Sequence, residues 1–515
     1  MSEPLVLTFD IGTQSARAML VDPQGAIVHK IQKTYPAPYY SKQPGWAEQR
    51  PQFYWESVCE ISRSLKEQAG ALWRDISAVT CATIRDTCLC LDRNYTPLRD
   101  VILWLDDRRA TELTPLPPLW DILFKVMGMQ EGVTLQRRIS VSNWIIQNER
   151  EIWNQTEKFV LISTWLNYRF CGSLVDSSAS AIGHIPFDSR LRTWMRPGDV
   201  RWLIFGIKEN QLFNLVEPGT VMGAITPGAA EETGITPGLP LIATGSDKGC
   251  ETLGLSCISE EQAALSFGTT ATVQLSTRRY LEPLPYMPPY PGIIGCYNPE
   301  IEIFRGYWLL SWFKREFAAK EVLEAQQMGV LAEKLLNDRL KEIKAGCDGL
   351  IMQPYFTPGV AMPFAKGAII GFSDSHTRIH VYRAIIEGIN FALMDGLRGM
   401  EKRGKLKVKA LYVAGGGSQS AEICQITASM FGLPLYRTQT HEVTGIGSAL
   451  AAFVAQGIFA SYQEAITAMV HIKDEFLPNP EEHEIYEGLY QEIFSKVFDK
   501  LSPLYERISA ILHRT

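Results

Sequence analysis

A chain of 515 residues is too long to close around a single core, so two or more domains are expected. The composition, 46% hydrophobic and 21% charged with 40 Gly and 29 Pro, is that of a soluble globular protein. A net charge of −6 excludes a general nucleic-acid binder, which needs a basic face, and no 18-residue apolar run is available to span a membrane. The N-terminus reads Met-Ser-Glu-Pro and then enters a strand, with no basic stretch or cleavable apolar segment, so a cytoplasmic location is expected. Ten cysteines are scattered. Cys81, Cys88 and Cys90 lack metal-ligand spacing, and buried thiols in a reducing compartment are the expectation. Neither His-Glu-x-x-His nor a Ser-centred nucleophile elbow is present.

The first element is "LVLTFDIGTQSARAMLVD", residues 5–22: an apolar strand, an Asp, a Gly-Thr corner and a returning strand. Such a tip is ordinary turn chemistry, and it can equally cradle an anion between backbone N–H groups and hydroxyls. Further strands are expected at Ala26–Ile31, Ile76–Thr83 and Cys88–Leu91, and helices at Gln52–Gln68, from Arg108–Glu112 onward and at Val141–Asn148. Hairpins followed by crossovers indicate an α/β fold with a mixed sheet. At 237–254, "PGLPLIATGSDKGCETLG" runs from a strand through a Gly-containing turn to an Asp at a helix start.

Residues 263–277, "AALSFGTTATVQLST", repeat the opening design of strand, Gly-Thr corner and returning strand. The recurrence suggests a duplicated pair of domains and makes a turn without chemistry less attractive. Helices are expected over 308–344 and 376–402, the second with Tyr382, Ile385, Ile386, Ile389 and Leu393 at helical spacing. Then "ALYVAGGGSQSAEICQITASMFG", 410–432, places three glycines between a strand and a helix. That junction either admits an anionic ligand to the helix N-terminus or solves a packing problem. A helix of small residues follows at Gly447–Gln456, and the tail's Ile485, Leu489, Ile493, Val497 and Leu501 predict a helix packed on the body.

Taken in order, these segments resemble the FGGY family of carbohydrate kinases, with the actin-like ATPase fold. The carriers are "DIGTQSAR" at 10–17, "PGWAEQRP" at 44–51, "ILWLDDRR" at 102–109, "TGSDKGCETLG" at 244–254 and "SFGTT" at 266–270. "KGAIIGFSDSHTRIHVYRAIIEGINFALMDG" at 366–396 and "AGGGSQSAEICQITASMFGLP" at 414–434 complete the set, which covers nearly the whole chain. The resemblance implies two actin-like (ribonuclease H-like) domains, 1–254 and 255–515, with mixed five-stranded sheets flanked by helices and a cleft between them. It implies ATP and Mg²⁺, a small sugar or polyol as acceptor, and a homodimer, although no interface signature stands out. By role, Asp10 matches the magnesium-associated aspartate. Thr13, Gln14, Ser15 and Arg17 line the phosphate path, with Gly268, Thr269 and Thr270 as the opposing loop. Gly415, Gly416 and Gly417, with Ser420, match the adenosine-contacting turn. Asp247 matches the base that accepts the acceptor's hydroxyl proton, although an Asp before a helix is also an ordinary N-cap.

The acceptor side departs from the xylulose kinases. Where they show Gln-Met-His-Gly, this chain has "ATIRDT" at 82–87, and Arg85-Asp86 is similar to the Arg-Glu pair of glycerol kinases. A guanidinium donating to vicinal oxygens beside an accepting carboxylate suits a polyol; a surface ion pair is the plain alternative. Trp104 and Asp106 fall where the family contacts substrate. Lys248, after the base, replaces an amide and either favours an ionised Asp247 or reads an anionic acceptor such as a sugar acid. "TPGVAMP" at 357–363 replaces Gly-Glu-Arg-x-Pro. Against the kinase stand two readings from other classes, a catalytically idle nucleotide-binding regulator and an actin-like filament or chaperone ATPase. The first could dispense with Asp247, and the second with Arg85, Asp86 and Trp104.

Overall fold

The computed structural model describes residues 3–357, 362 and 364–512. The segment 357–363, where Gly-Glu-Arg-x-Pro is missing, lies outside the described residues except at Thr357 and Met362. The chain divides into two compact units: Met1–Ser256 with Tyr290–Cys296 and Thr444–Val470, and Cys257–Pro289 with Tyr297–Val443 and His471–Thr515. Among the described residues no helix is long and apolar enough to cross a membrane.

The first unit is built on six strands: β1 (Leu5–Ile11), β2 (Ser15–Val21), β3 (Ile27–Thr34), β4 (Ile76–Thr83), β5 (Val221–Ala224) and β6 (Pro240–Ile242). Their order is β5-β6-β4-β1-β2-β3. All seven residues of β1 are buried, as an apolar run covered on both faces should be. One face is covered by α1 (Pro51–Ala69), which starts on a proline and turns Tyr54, Trp55, Val58, Ile61 and Leu65 inward at helical spacing. The helix α2 (Asp247–Gly254) follows β6.

The second unit repeats this plan with β7 (Gln262–Phe267), β8 (Ala271–Leu275), β9 (Glu300–Ile303), β10 (Ala410–Ala414), β11 (Leu435–Thr438) and β12 (Ile472–Phe476), ordered β9-β8-β7-β10-β11-β12. Starting from β3 and from β9, the pairing senses agree: antiparallel, antiparallel, parallel, parallel, antiparallel. The duplication read from the two Gly-Thr corners is therefore present in the topology. Each sheet has six strands rather than the expected five. The additional edge strands are hard to read as strands: β5 (Val-Met-Gly-Ala) is short, interrupted by Gly223 and only partly covered, and β12 holds Lys473, Asp474 and Glu475.

In the second unit α3 (Arg378–Gly404) buries Tyr382, Ile385, Ile386, Ile389 and Leu393, as their spacing predicts. The glycine-containing turn after β10 leads into α4 (Ala421–Phe431). The expected helix over 308–344 is instead three, Trp308–Phe317, Ala319–Met328 and Ala332–Asp338, broken at Ala318 and at Gly329 with φ +66°. No helix forms at Arg108–Glu112; the next begins at Pro118, after a proline-interrupted stretch unable to supply helical N–H donors. In the tail the expected stripe holds only in part: Val497 is buried and Leu489 packs on the core, but the other buried positions lie one residue off. Ile485 and Ile493 are exposed, whereas Tyr486, Tyr490 and Phe494 pack against Phe391. Polar bonds choose this face: the Tyr486 hydroxyl donates to Glu387 (2.7 Å) and accepts from Arg383 (2.9 Å), inside the unit.

The helix α5 (Val443–Ala455) belongs to the first unit from Thr444 onward. It meets α2 without a side chain between them: a Cβ at Gly447 would lie 1.9 Å from the Cys250 carbonyl oxygen. Gly447→Ala should therefore lower the urea midpoint, by ~1–3 kcal/mol of stability. Gly228→Ala, where a Cβ meets nothing within 4 Å, should not. Equal midpoints for the two variants would contradict this packing.

Candidate active site

In the first unit three parallel strands finish at one edge of the sheet. Asp10 is opposite Ala82 and Ile11 opposite Thr83 across β1 and β4, and Leu241 is opposite Val79 across β6 and β4. Residues just past these strand ends are thereby gathered: the 12–15 tip, Arg85-Asp86 and the loop into α2. The tip is closed by the Gly12 N–H donating to the Ser15 carbonyl (3.0 Å), and its Gln14 carbonyl accepts from Tyr35 N–H (2.9 Å). Asp10 is nearly buried and accepts a 3.0 Å bond from Arg17. Trp104 donates its indole N–H to the Thr13 hydroxyl (2.9 Å), linking the "ILWLDD" segment to the tip.

Asp247 is the first residue of α2, but it is not the cap. Ser246 caps, its hydroxyl accepting from Gly249 N–H (3.3 Å). The Asp247 carboxylate is left 27% exposed, with Arg85 Nε 3.9 Å away. The carboxylate accepts from the adjacent Lys248 N–H (2.8 Å), while the Lys248 ammonium turns to Glu251 (3.1 Å).

Asp86 has a left-handed backbone (φ +46°), a costly conformation for a non-glycine residue. His184 holds it there. The Asp86 carboxylate accepts from the His184 backbone N–H (2.9 Å) and meets its Nδ1 at 2.7 Å. Burial disfavours the imidazolium, yet the Asp86 charge and hydrogen bond outweigh it and raise the His184 pKa above the ordinary value. A Cβ at Gly183 would sit 2.7 Å from an Asp86 carboxylate oxygen, so this approach requires glycine.

Asp106 is committed to the frame. Arg108 forks onto it at 2.7 and 2.8 Å, the Ala47 N–H donates at 2.5 Å, and the side chain is 2% exposed. Arg108 also bonds Glu48 (2.9 Å) and stacks on Trp46 and Trp144, so Asp106 and Arg108 together pin "PGWAEQ" in place. Asp176 is fully buried and bonded by Ser163 (2.5 Å), Thr164 (2.7 Å) and Ser177 N–H (2.8 Å). Three residues on from Asp176, the Ala179 carbonyl accepts from Ser246 N–H (3.3 Å) in the loop before Asp247. The sequence reading did not find His184 or Asp176: each is a lone titratable residue in an unpatterned loop or short strand, and only the fold gives it partners.

In the second unit β7 and β10 are parallel, with Ser266 opposite Ala414, so the 268–270 tip and the 415–417 turn emerge side by side. Gly415 has φ +86°, and a Cβ there would lie 2.7 Å from the Phe267 carbonyl carbon. A Cβ at Gly417 would lie 2.5 Å from the Tyr307 ring, whereas at Gly416 it would meet nothing within 4 Å. Two of the three glycines thus serve packing and the third faces open space. The tip is held by Tyr307 N–H to the Gly268 carbonyl (3.1 Å), Trp308 N–H to that of Thr269 (3.3 Å), and the Thr270 hydroxyl to the Phe304 carbonyl (3.2 Å). Ser420 caps α4, accepting from Ile423 N–H (3.3 Å).

Residues 5–254 match the FGGY family of carbohydrate kinases, N-terminal domain, and residues 263–456 match the C-terminal domain of the same family. A xylulose kinase of Lactococcus lactis subsp. lactis is 27% identical over 521 residues, spanning 98% of both chains. An autoinducer-2 kinase of Enterobacter sp. strain 638 is 28% identical over 519 residues, spanning 96% of this chain and 94% of that one. The fold is also that of a ligand-bound xylulose kinase from Lactobacillus acidophilus, with TM-score 0.82 and 22% identity over 98% of this chain and 100% of that one.

Burial is the largest influence on Asp176 and, over its hydrogen bonds, raises the carboxyl pKa from 3.8 to about 6. Between those values the native state binds more protons than the unfolded chain, so stability falls as pH rises from 3.8 through about 6. The contribution is on the order of 3 kcal/mol over that window. Asp176→Asn should flatten this part of the stability–pH curve; parallel curves for the two proteins would contradict the assignment.

Proposed function

The chain belongs to the FGGY family of carbohydrate kinases, and on that premise we propose that it transfers the terminal phosphoryl group of ATP to a hydroxyl of a small neutral sugar or polyol, with Asp247 as general base. The observation that carries this reading is the first turn of α2. Ser246 takes the cap, and Asp247 keeps a part-exposed carboxylate beside the Arg85 guanidinium. A base needs to reach a hydroxyl proton, and a carboxylate consumed by capping would not. Arg85 donates to neighbouring hydroxyls, and Asp86, with its carboxylate oriented by His184, accepts from them. Trp104 forms a wall and fixes Thr13. A neutral acceptor is favoured over a sugar acid because Glu251 already matches the Lys248 charge. The similarity to xylulose and autoinducer-2 kinases points the same way.

Thr13, Gln14, Ser15 and Arg17 in the first unit, and Gly268, Thr269 and Thr270 in the second, are assigned to the ATP phosphates. Gly415, Gly416, Gly417 and Ser420 are assigned to the adenosine, with the open face at Gly416 admitting it. Asp10 fits Mg²⁺, a hard cation that takes one or two carboxylates together with phosphate and water oxygens. Bound there, the ion would neutralise charge developing on the phosphates. Arg17, now on Asp10, would share that charge. The residues then act in order: Arg85 and Asp86 orient the acceptor, Asp247 takes the hydroxyl proton as the oxygen attacks, and Arg17 stabilises the phosphoryl oxygens.

ADP release should be measured with ATP and Mg²⁺ over xylulose, ribulose, glycerol, erythritol, autoinducer-2 and gluconate. One neutral acceptor should stand out, and Asp247→Asn should lower kcat for it roughly 100- to 10,000-fold with little change in the KM for ATP. A wild-type rate in Asp247→Asn would contradict the base assignment. Tight ATP binding with no acceptor turnover would favour the idle regulator.

A further inference from the structure

The segment Tyr290–Cys296 belongs to the first unit although the residues on either side of it belong to the second. It is fastened at three points. The Ile293 side chain packs against Gly245, where a Cβ would lie 2.9 Å from it. Arg192 donates to the Gly295 carbonyl. At the head of the segment, the Tyr290 ring lies under the Arg85 guanidinium, 4.6 Å from ring centroid to the guanidinium carbon. The turn closes with Gly292 N–H donating to the Cys296 carbonyl (2.9 Å). One short segment therefore touches both the loop that carries Asp247 and the arginine that faces it.

Arginine has a long, flexible stem, and its value in reading hydroxyls depends on the plane and direction of its fork. An aromatic ring beneath a guanidinium restrains where that fork sits through cation–π attraction. Here the guanidinium held over the ring has its Nε 3.9 Å from an Asp247 carboxylate oxygen, a distance longer than a hydrogen bond. We propose that Tyr290 is a positioning residue for the acceptor, setting the Arg85 fork beside Asp247 so that the hydroxyl to be phosphorylated and its neighbour are bound together. This rests on the reading of Arg85 as an acceptor ligand.

The test uses the full-length protein and whichever of xylulose, ribulose, glycerol, erythritol, autoinducer-2 or gluconate it phosphorylates fastest. Tyr290→Leu removes the ring and should raise the acceptor KM about 2- to 30-fold, the range of a cation–π contact, with the KM for ATP unchanged. Tyr290→Phe keeps the ring and should stay near wild type. In an Arg85→Ala background, Tyr290→Leu should add no further loss, because its effect runs through Arg85. An unchanged acceptor KM in Tyr290→Leu, an equal loss in Tyr290→Phe, or full additivity with Arg85→Ala would each overturn the inference while leaving the kinase reading intact. A wild-type protein that phosphorylates none of the acceptors would overturn that reading and this inference with it.

Discussion

The parallel register of β1, β4 and β6 is the constraint on which the first unit's chemistry depends. Parallel neighbours point their C-terminal ends the same way, so residues far apart in sequence emerge at one edge. Asp10 at the end of β1, Arg85 past β4 and Asp247 past β6 meet there because Asp10 stands opposite Ala82 and Leu241 opposite Val79. Slipping a strand by one residue would reverse which face each side chain occupies. The uniformly buried β1 resists such a slip, since every position in it has a packing partner. The second unit applies the same rule, with β7 and β10 delivering the Gly-Thr tip and the glycine turn together.

A gathered edge is not yet a site; its side chains must also be aimed. This protein aims them with buried and half-buried polar partners. His184 grips Asp86 in a strained backbone, Arg108 locks Asp106 to the "PGWAEQ" segment, and Ser246 relieves Asp247 of capping. A buried charge that loses its partner is strongly destabilising, so such contacts hold one geometry firmly even where their net contribution to stability is small. Glycine performs the complementary task at Gly183, Gly415 and Gly447, where a single Cβ would push apart elements that must touch.

Much of this was legible in the sequence because it rests on local patterns. The two Gly-Thr corners announced a duplicated hairpin, and the spacing of Tyr382, Ile385, Ile389 and Leu393 announced a long buried helix. Other features were illegible for physical reasons. The edge strands β5 and β12 are solvent-facing and lack apolar alternation. The tail's buried face is chosen by the Tyr486 hydroxyl's bonds to Arg383 and Glu387, which no aliphatic spacing reveals. At the candidate site, motif order pointed to Asp10, Arg85, Asp86 and Asp247, but not to the partners that orient them. Asp106 resembled a substrate contact, whereas its oxygens are occupied by Arg108 and the Ala47 N–H. Tyr290 lies in a proline-rich stretch with no periodicity, and its place beside Arg85 exists only after folding.

Binding of the acceptor at the parallel-strand edge with its hydroxyl on Asp247 would be seen in a crystal structure with the preferred acceptor and a non-hydrolysable ATP analogue. One acceptor hydroxyl should lie within about 2.6–3.2 Å of an Asp247 carboxylate oxygen, with Arg85 donating to the same or the neighbouring oxygen. An acceptor bound away from this edge, or one held there with Asp247 engaged elsewhere, would contradict it.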